Sequence, residues 1–375
     1  MEQHFALIAP RAKLTLGYGG RLRQILCDSS ALKLVRALTV PVLPRAPPQN
    51  GPSSFQMIAG ESQYIPAKLT STANIHRSIT FSDLPVEIHR LIFINLDSIE
   101  DILCLALTSR QYLWAIGLEY MHCYYASFLG RWAGENIVCV GEDVKAGDFP
   151  PKLFSAEEVD ELNQKTIDEA GSDDDYWGES NDSAKPFTLY HFSLPTVSDP
   201  EETDDVRTES SAIYLDCRKR SKHKDPAFQL ASRELLVSDS NYLPQDEPWI
   251  LRNLTTKEIV RSEAIALKPE FVRGPHIDVL GFGHVVLSRI CWSTSPSSSV
   301  IDSRGTASIT RGVWAGHCFD IVTLARHESE TEGGAGWSDV SRQMAEEMAV
   351  IWESEWGTDW REAVIKYSRY LVFSE

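Results

Sequence analysis

The stretch DLPVEIHRLIFINLDSIEDILCLALTSRQYLW, residues 83–114, decides the fold of the first half of the chain. Pro85 suits the first turn of a helix, where the missing backbone N–H leaves no hydrogen bond unmade. Apolar residues then recur at helical spacing up to Leu96. Ser98, followed three positions later by Asp101, has the pattern of a capping box at the start of a second helix. The stretch therefore predicts short, closely connected amphipathic helices.

Apolar residues lie on more than one face of these expected helices. Phe93 and Ile94 in the first helix, and Leu105 and Leu107 in the second, fall off the main stripes. Helices of about ten residues are too short to be stable alone in water. Helices with two apolar faces favour an arrangement in which one face packs inward and the other binds a partner. The alternative is an ordinary three-helix core element whose apolar faces are all internal.

The same stretch resembles the F-box family. The family pattern has a Leu-Pro opening, an acidic residue, an Ile/Leu-Phe pair, a Leu, an Asp-Leu element and a Ser/Cys-Arg before an aromatic residue. The matching residues are Leu84, Pro85, Glu87, Ile92, Phe93, Leu96, Asp101, Leu103, Ser109 and Arg110. Many F-boxes place Trp two residues after the Arg, whereas this chain has Tyr112 there and Trp114 two positions further on.

The resemblance implies that residues 79–130 form a three-helix F-box module that docks on the Skp-type adaptor of a cullin ubiquitin ligase. It also implies a protein without catalytic residues, cofactor or metal. The residues expected to bind the adaptor are Leu84, Pro85, Ile88, Leu91, Ile92, Phe93, Leu96, Leu103, Leu107, Tyr112 and Trp114.

The net charge of −17 is concentrated in residues 142–209. This region holds 20 Asp and Glu against 5 Lys and Arg and so carries −15 of the total. Such a charge density favours a solvated acidic linker or loops, at least partly disordered. A basic partner or a metal ion is the functional alternative, although the ligand spacing of a Ca²⁺ loop is absent. The acidity disfavours a nucleic-acid partner.

Residues 1–78 have a different composition. Residues 1–48 carry seven Lys and Arg against Glu2 and Asp28, and a Pro- and Ser-rich stretch follows. We expect a basic, then Pro/Ser-rich disordered extension, or translated sequence upstream of a start near Met57. A mitochondrial transit peptide is the second alternative.

Residues 210–373 predict a domain in which strands precede helices. Residues 249–261 predict two strands around a turn at 255–257, and the apolar runs 285–292 and 317–324 predict two more. Beyond Gly336 apolar residues recur with a period of 3.6 residues, which predicts two helices. The fold class is therefore α+β, with a short helical module before a mixed strand and helix domain.

Three phrases of this C-terminal domain resemble F-box proteins from filamentous fungi. They are LRNLTTKE at 251–258, IDVLGFG at 277–283 and RGVWAGH at 311–317. The resemblance implies no particular ligand. No repeat of 20–50 residues occurs, so neither a leucine-rich-repeat nor a propeller domain is expected.

Motifs of catalysis are absent from the sequence. The segment Gly281 to Gly283 lacks the third glycine of a dinucleotide loop. His317 and Cys318 are adjacent in an expected strand, so their side chains point to opposite faces and favour structural roles. The basic cluster at 218–224 is a nuclear import signal or, alternatively, an exposed loop that pairs with the acidic region.

Seven scattered cysteines without a Cys-x-x-Cys motif favour reduced thiols, hence a cytoplasmic or nuclear protein. No apolar run is long enough to predict a membrane span. The sequence thus favours a non-catalytic F-box adaptor whose 210–373 domain captures an unknown protein substrate, raising its effective concentration at a ligase. A ligase-independent scaffold or regulator is the main alternative, and an enzyme with an unrecognised site is the third.

Overall fold

A computed structural model of the chain describes residues 3–16, 20–27, 30–44, 81, 84–108, 113–167, 185–200, 205–220, 234–295 and 309–372. The chain divides into two compact units. We call residues 1–41, 128–204 and 243–375 the sheet unit, and residues 42–127 and 205–242 the helical unit. Helices and several sheets are both present, so the expected α+β class is confirmed.

Twelve α-helices are formed by the described residues: α1 Leu22–Cys27, α2 Ser30–Leu38, α3 Val86–Ile94, α4 Ile99–Thr108, α5 Leu113–Ala126, α6 Ala156–Gln164, α7 Val206–Arg220, α8 Ser262–Ile265, α9 Phe282–Ile290, α10 Leu324–Glu330, α11 Ser341–Trp356 and α12 Trp360–Val372. The strands are β1 His4–Ala9, β2 Leu14–Thr15, β3 Gly20–Arg21, β4 Val138–Gly141, β5 Thr166–Ile167, β6 Lys185–Pro186, β7 Asp199–Pro200, β8 Trp249–Asn253, β9 Glu258–Arg261, β10 Val272–Arg273, β11 His276–Ile277, β12 Cys291–Trp292, β13 Phe319–Thr323 and β14 Ser338–Asp339. Three 3₁₀ turns lie at Leu189–Ser193, Asp239–Asn241 and Pro269–Phe271.

The larger sheet of the sheet unit has the order β12-β4-β1-β2-β7, with β3 also paired to β1. Strand β1 runs antiparallel to β4, with Leu7 opposite Cys139. The outer strands β12 and β7 are parallel to their neighbours β4 and β2. A core beneath this sheet contains Ile8, Val138 and Val140.

The second sheet has the order β13-β8-β9-β14. Strands β8 and β9 form the hairpin expected at residues 249–261, and β13 confirms the strand expected at 317–324. A buried ion pair crosses from β8 to β13: Arg252 donates two hydrogen bonds to Asp320, at 2.7 and 2.6 Å. Helices α11 and α12 confirm the two expected after Gly336.

The N-terminal residues up to 41 belong to the sheet unit, so the disordered extension expected over 1–78 is wrong for the described residues of that range. Phe5, Ile8 and Ala9 of β1 are fully buried, and α2 buries Leu34 and Leu38. Four of the basic residues that suggested disorder, Arg11, Lys13, Arg21 and Lys33, are exposed among these apolar ones. Residues 45–80 lie outside the described part.

Part of the acidic region, expected as a linker or loops that are at least partly disordered, is ordered and belongs to the sheet unit. Helix α6 begins with a capping box in which Ser155 Oγ accepts from the Glu158 N–H and Glu158 accepts from the Ser155 N–H. Leu153, Leu162 and Phe187 join the core beneath the larger sheet. These few apolar residues are spaced among many carboxylates, so the composition of the region did not predict that they are buried. Residues 168–184 and 201–204, which hold much of the remaining charge, lie outside the described part.

The apolar run 285–292, expected as a strand, is mainly helix α9 and only its last two residues form β12. Gly283 lets α9 approach α2, because a Cβ there would lie 2.1 Å from the Ala31 carbonyl oxygen. Cys139 and Cys291 face each other in the register of β4 and β12 as buried free thiols. Among the described residues, no helix combines the length and apolarity that crossing a bilayer requires.

Candidate interaction surface

Helix α3 of the helical unit presents apolar side chains to solvent. Val86, Ile88, Leu91 and Ile94 are 46%, 39%, 57% and 66% exposed. These four residues lie within nine consecutive positions of one helix. We call them the α3 surface. A concentration of exposed aliphatic side chains on one short helix is a recurrent mark of a protein interface.

The local sequence explains where α3 begins and ends. Pro85 precedes the first helical residue with an extended backbone, and Glu87 lies in the first turn, where its charge suits the helix dipole. At the other end Asn95 Nδ2 donates to the Leu91 carbonyl oxygen at 2.6 Å. This bond caps a carbonyl that the ending helix would otherwise leave unpaired.

The opposite side of α3 packs inward through two residues. Phe93 is fully buried and stacks on Tyr120 of α5, with ring centroids 5.7 Å apart. The His89 ring lies 4.9 Å from that of Phe81, and its Nε2 is 2.8 Å from the Phe81 carbonyl oxygen. Of the nine residues of α3, only His89 and Phe93 are buried, so most of its apolar surface stays outside.

Helices α4 and α5 form the close-packed support beneath α3. A Cβ on Gly117 would lie 2.3 Å from the Ala106 Cβ, so only glycine allows this approach. Leu103 on α4 is also buried. Arg90 on α3 pairs with Glu119 on α5 at 3.1 Å, and Tyr120 Oη donates to the Arg90 carbonyl oxygen. These contacts hold α3 in a fixed orientation.

Residues after position 205 complete the helical unit through polar contacts with α5. Trp114 Nε1 donates to Glu234 at 2.5 Å, and Tyr124 Oη donates to Glu209. His122 Nδ1 lies 2.8 Å from Tyr242 Oη. Burial lowers the pKa of His122 and raises the pKa of Tyr242, so the tyrosine donates to a neutral imidazole. The far segment thus belongs to the same folded unit.

The eleven residues assigned from the F-box resemblance fall into four groups. Pro85, Ile88 and Leu91 are exposed, and Leu84, Ile92, Leu96 and Leu107 are half-buried. Phe93, Leu103 and Trp114 are buried within the helical unit, and Tyr112 lies outside the described residues.

A direct partner role for Phe93, Leu103 and Trp114 is therefore not supported, because their side chains are covered by their own unit. They act as its core. Two exposed residues, Val86 and Ile94, were missing from the predicted set. Their sequence signal was present: both fall off the inward stripe that His89 and Phe93 define.

Comparisons of the chain with protein-family models, with curated proteins and with solved structures found no match. Within the described residues, no group of three or more His, Cys, Asp or Glu is arranged to hold a metal ion.

Proposed function

We propose that this protein is an F-box adaptor, a non-catalytic substrate receptor of a Skp–cullin–F-box ubiquitin ligase. The helical unit docks on the Skp-type adaptor through the α3 surface, and the sheet unit captures a protein substrate. The α3 surface is the observation that carries this proposal, because it joins the sequence resemblance at residues 84–110 to aliphatic side chains left exposed.

The geometry of α3 supports docking by a helix face. Ile88, Leu91 and Ile94 recur every three residues, which is the spacing by which one side of a helix fits an apolar groove. Pro85 and the half-buried Leu84 extend this row to the start of the helix. Apolar anchors of this kind often cost about 2 kcal/mol or more of binding free energy when truncated.

The acidic surroundings of the surface add a second property. Glu87, Asp97 and Asp101 are exposed next to or near its apolar residues. Exposed charges around an apolar centre chiefly set association rate and partner choice. The partner face that suits this surface is therefore apolar with a basic rim.

The test is co-purification of the Skp-type adaptor with the full chain in which Leu91 and Ile94 are both replaced by Asp. We expect loss of the adaptor, because two charges would be buried without partners at the interface. The matched control is Val350→Asp on α11, a similarly exposed aliphatic residue in the sheet unit, which should retain the adaptor.

Retention of the adaptor by the double variant at the wild-type level would show that the α3 surface is not the docking site. Capture of the adaptor without any cullin subunit would favour the ligase-independent scaffold instead. Replacing Leu84 and Pro85 together by Ala tests the N-terminal end of the surface in the same assay, and we expect this change to abolish co-purification as well.

A further inference from the structure

Two cysteines of the sheet unit lie directly opposite each other on neighbouring parallel strands. In the register of β12 on β4, Cys291 is the partner of Cys139, and Trp292 is the partner of Val140. Both thiols are free, and both side chains are fully buried. The fold therefore brings together two buried thiols that are far apart in the sequence.

The packing of the neighbouring residues shows which face of the larger sheet the two thiols occupy. Val138 and Val140, on either side of Cys139, belong to the core beneath this sheet. Trp292, which follows Cys291, packs against the same core. Successive side chains of a strand point to opposite faces of its sheet. Both thiols therefore lie together on the other face.

The spacing of the two strands suits a disulfide bond. Neighbouring strands of a sheet lie about 4.8 Å apart, and disulfides join residues whose Cα atoms are about 4.4–6.8 Å apart. A hydrogen bond links the Cys139 and Cys291 thiols, so the two sulfur atoms are already close. A disulfide between them thus fits the sheet without separating β4 from β12.

The folded sheet also protects the thiols from reaction. Cys291 Sγ donates to the Leu287 carbonyl oxygen of α9 at 3.1 Å. The hydrogen bond with Cys139, and then burial, raise the pKa of Cys291 well above its ordinary value. Because the thiolate is the reactive form of cysteine, a protonated and buried thiol reacts slowly. The pair is therefore unreactive while β12 lies in place.

The contact that closes over the thiols is short. Strand β12 has two residues, and it pairs with β4 through those two alone. On the other side of β12, Trp292 forms a bridge with Arg311, and the Gly312 N–H donates to the Cys291 carbonyl oxygen at 2.8 Å. Parts of a protein held by few contacts open at a lower free energy than its core. Local opening of β12 gives an oxidant its way to the thiols.

We propose that Cys139 and Cys291 are a redox-sensitive pair, which a small disulfide such as oxidised glutathione converts into a disulfide bond that fixes β12 on β4. The pair is independent of the proposed adaptor function. It is reduced where glutathione keeps thiols reduced, and the bond forms when the surroundings become oxidising.

The reaction proceeds by two exchanges. One cysteine loses its proton and attacks a sulfur of oxidised glutathione, which forms a mixed disulfide and releases one glutathione thiolate. The second cysteine loses its proton and attacks the cysteine sulfur of that mixed disulfide, which releases the second glutathione thiolate. Two electrons thus pass from the cysteines to glutathione, and the two protons end on the two released glutathione thiols.

The first experiment equilibrates the full chain, without denaturant, in buffers with increasing ratios of oxidised to reduced glutathione. Acid quenching, alkylation of the remaining thiols and peptide mass spectrometry then identify the state of each cysteine. We expect a peptide cross-linked through Cys139 and Cys291, which excess reduced glutathione removes. If both cysteines remain alkylated in the most oxidising buffer, or carry only glutathione, the proposal is overturned.

The exposed cysteines of the helical unit provide the matched control. Cys104 and Cys123 are exposed, so glutathione reaches them directly. The double variant Cys104→Ser and Cys123→Ser should form the Cys139–Cys291 cross-link to the same extent as the wild type. Loss of the cross-link in this variant would show that it arises by exchange with other cysteines, and not from the paired strands.

Denaturant unfolding measures what the bond does to the fold. A disulfide that closes a long loop restricts the unfolded chain, so the oxidised protein should unfold at a higher denaturant concentration than the reduced protein. Cys139→Ser cannot form the bond, so its own midpoint should be equal in oxidising and reducing buffers, whatever its stability relative to the wild type. A wild-type midpoint that oxidation leaves unchanged or lowers would contradict the fixing of β12 on β4.

Discussion

Helices α3 and α9 have the same length and similar apolar content but opposite environments. Each has nine residues, VEIHRLIFI in α3 and FGHVVLSRI in α9. Helix α9 buries seven of its residues, whereas α3 buries only His89 and Phe93. The difference is therefore one of surroundings and not of composition.

The comparison teaches where an apolar helix marks an interface. Helix α9 packs on α2 at Gly283 and on α11 near Met348, so its apolar residues are satisfied within the sheet unit. Helix α3 buries only two of its residues within its own unit. Its remaining aliphatic surface costs free energy in water unless another protein covers it.

The largest expected effect comes from placing a charge in the buried helix. Leu287 of α9 is fully buried, so Leu287→Asp should destabilise the protein by about 3–5 kcal/mol, because the carboxylate has no partner there. Denaturant unfolding of the full chain measures this loss. A denaturant midpoint close to that of the wild type would show that Leu287 of α9 is not buried in the folded protein.

The second-largest expected effect is a dependence of the protein's stability on pH, and it comes from His284 of α9. Burial lowers its pKa to about 4, against an ordinary value of 6.5. Between these two pH values the unfolded chain binds a proton at His284 that the folded protein does not bind. The free energy of unfolding therefore falls, by at most about 3 kcal/mol, as the pH drops from about 6.5 towards about 4.

His284→Asn isolates this contribution, because Asn keeps an acceptor for the Gly281 N–H that His284 Nδ1 now binds at 3.1 Å. Denaturant unfolding at several pH values should show the variant losing less stability on acidification than the wild type. Parallel pH profiles would show that His284 is accessible to protons in the folded protein.

A smaller effect is expected where α9 touches α2. Gly283→Ala should cost about 1–3 kcal/mol, because the added methyl group meets the Ala31 carbonyl oxygen. The control is Gly20→Ala, where the nearest atom would lie 3.4 Å away. Thermal unfolding should separate the two variants, and equal melting temperatures would mean that the helices move apart without cost.

The smallest effect on stability is expected for Leu91→Asp on α3. Its free energy of unfolding should stay within about 0.5 kcal/mol of the wild-type value. Its side chain is already in water, so the new charge needs no desolvation. The same unfolding assay used for Leu287→Asp measures it. A loss as large as that of the α9 variant would show that Leu91 is covered within the chain.

Local patterns were sufficient for many elements. The turn residues Thr255 to Lys257 predicted the β8–β9 hairpin, and the 3.6 period predicted α11 and α12. Helix α9 was mistaken for a strand because Val285 and Val286 favour strands, and a short apolar run has no period that distinguishes the two. Because α9 is buried on nearly all sides in the tertiary fold, its sequence lacks the alternation of apolar and polar residues that marks an amphipathic helix.

The candidate surface was predictable only in part. The Leu84-Pro85 start and the spacing of Ile88 and Leu91 indicated α3 and two of its exposed residues. The burial of Phe93 depends on its contact with Tyr120 of α5. Such pairings join distant positions, so a single sequence does not specify them.

The place of β1 in the larger sheet has a consequence for synthesis on the ribosome. Residues 4–9 are made shortly before their short neighbours β2 and β3, but long before their other neighbour β4 at 138–141 and the outer strand β12 at 291–292. Helices α3 to α5 contact one another over short sequence separations and fold early. The edge of β1 that pairs with β4 therefore stays open until residues 138–141 are made. An exposed strand of this kind is a target for chaperones and a risk for aggregation.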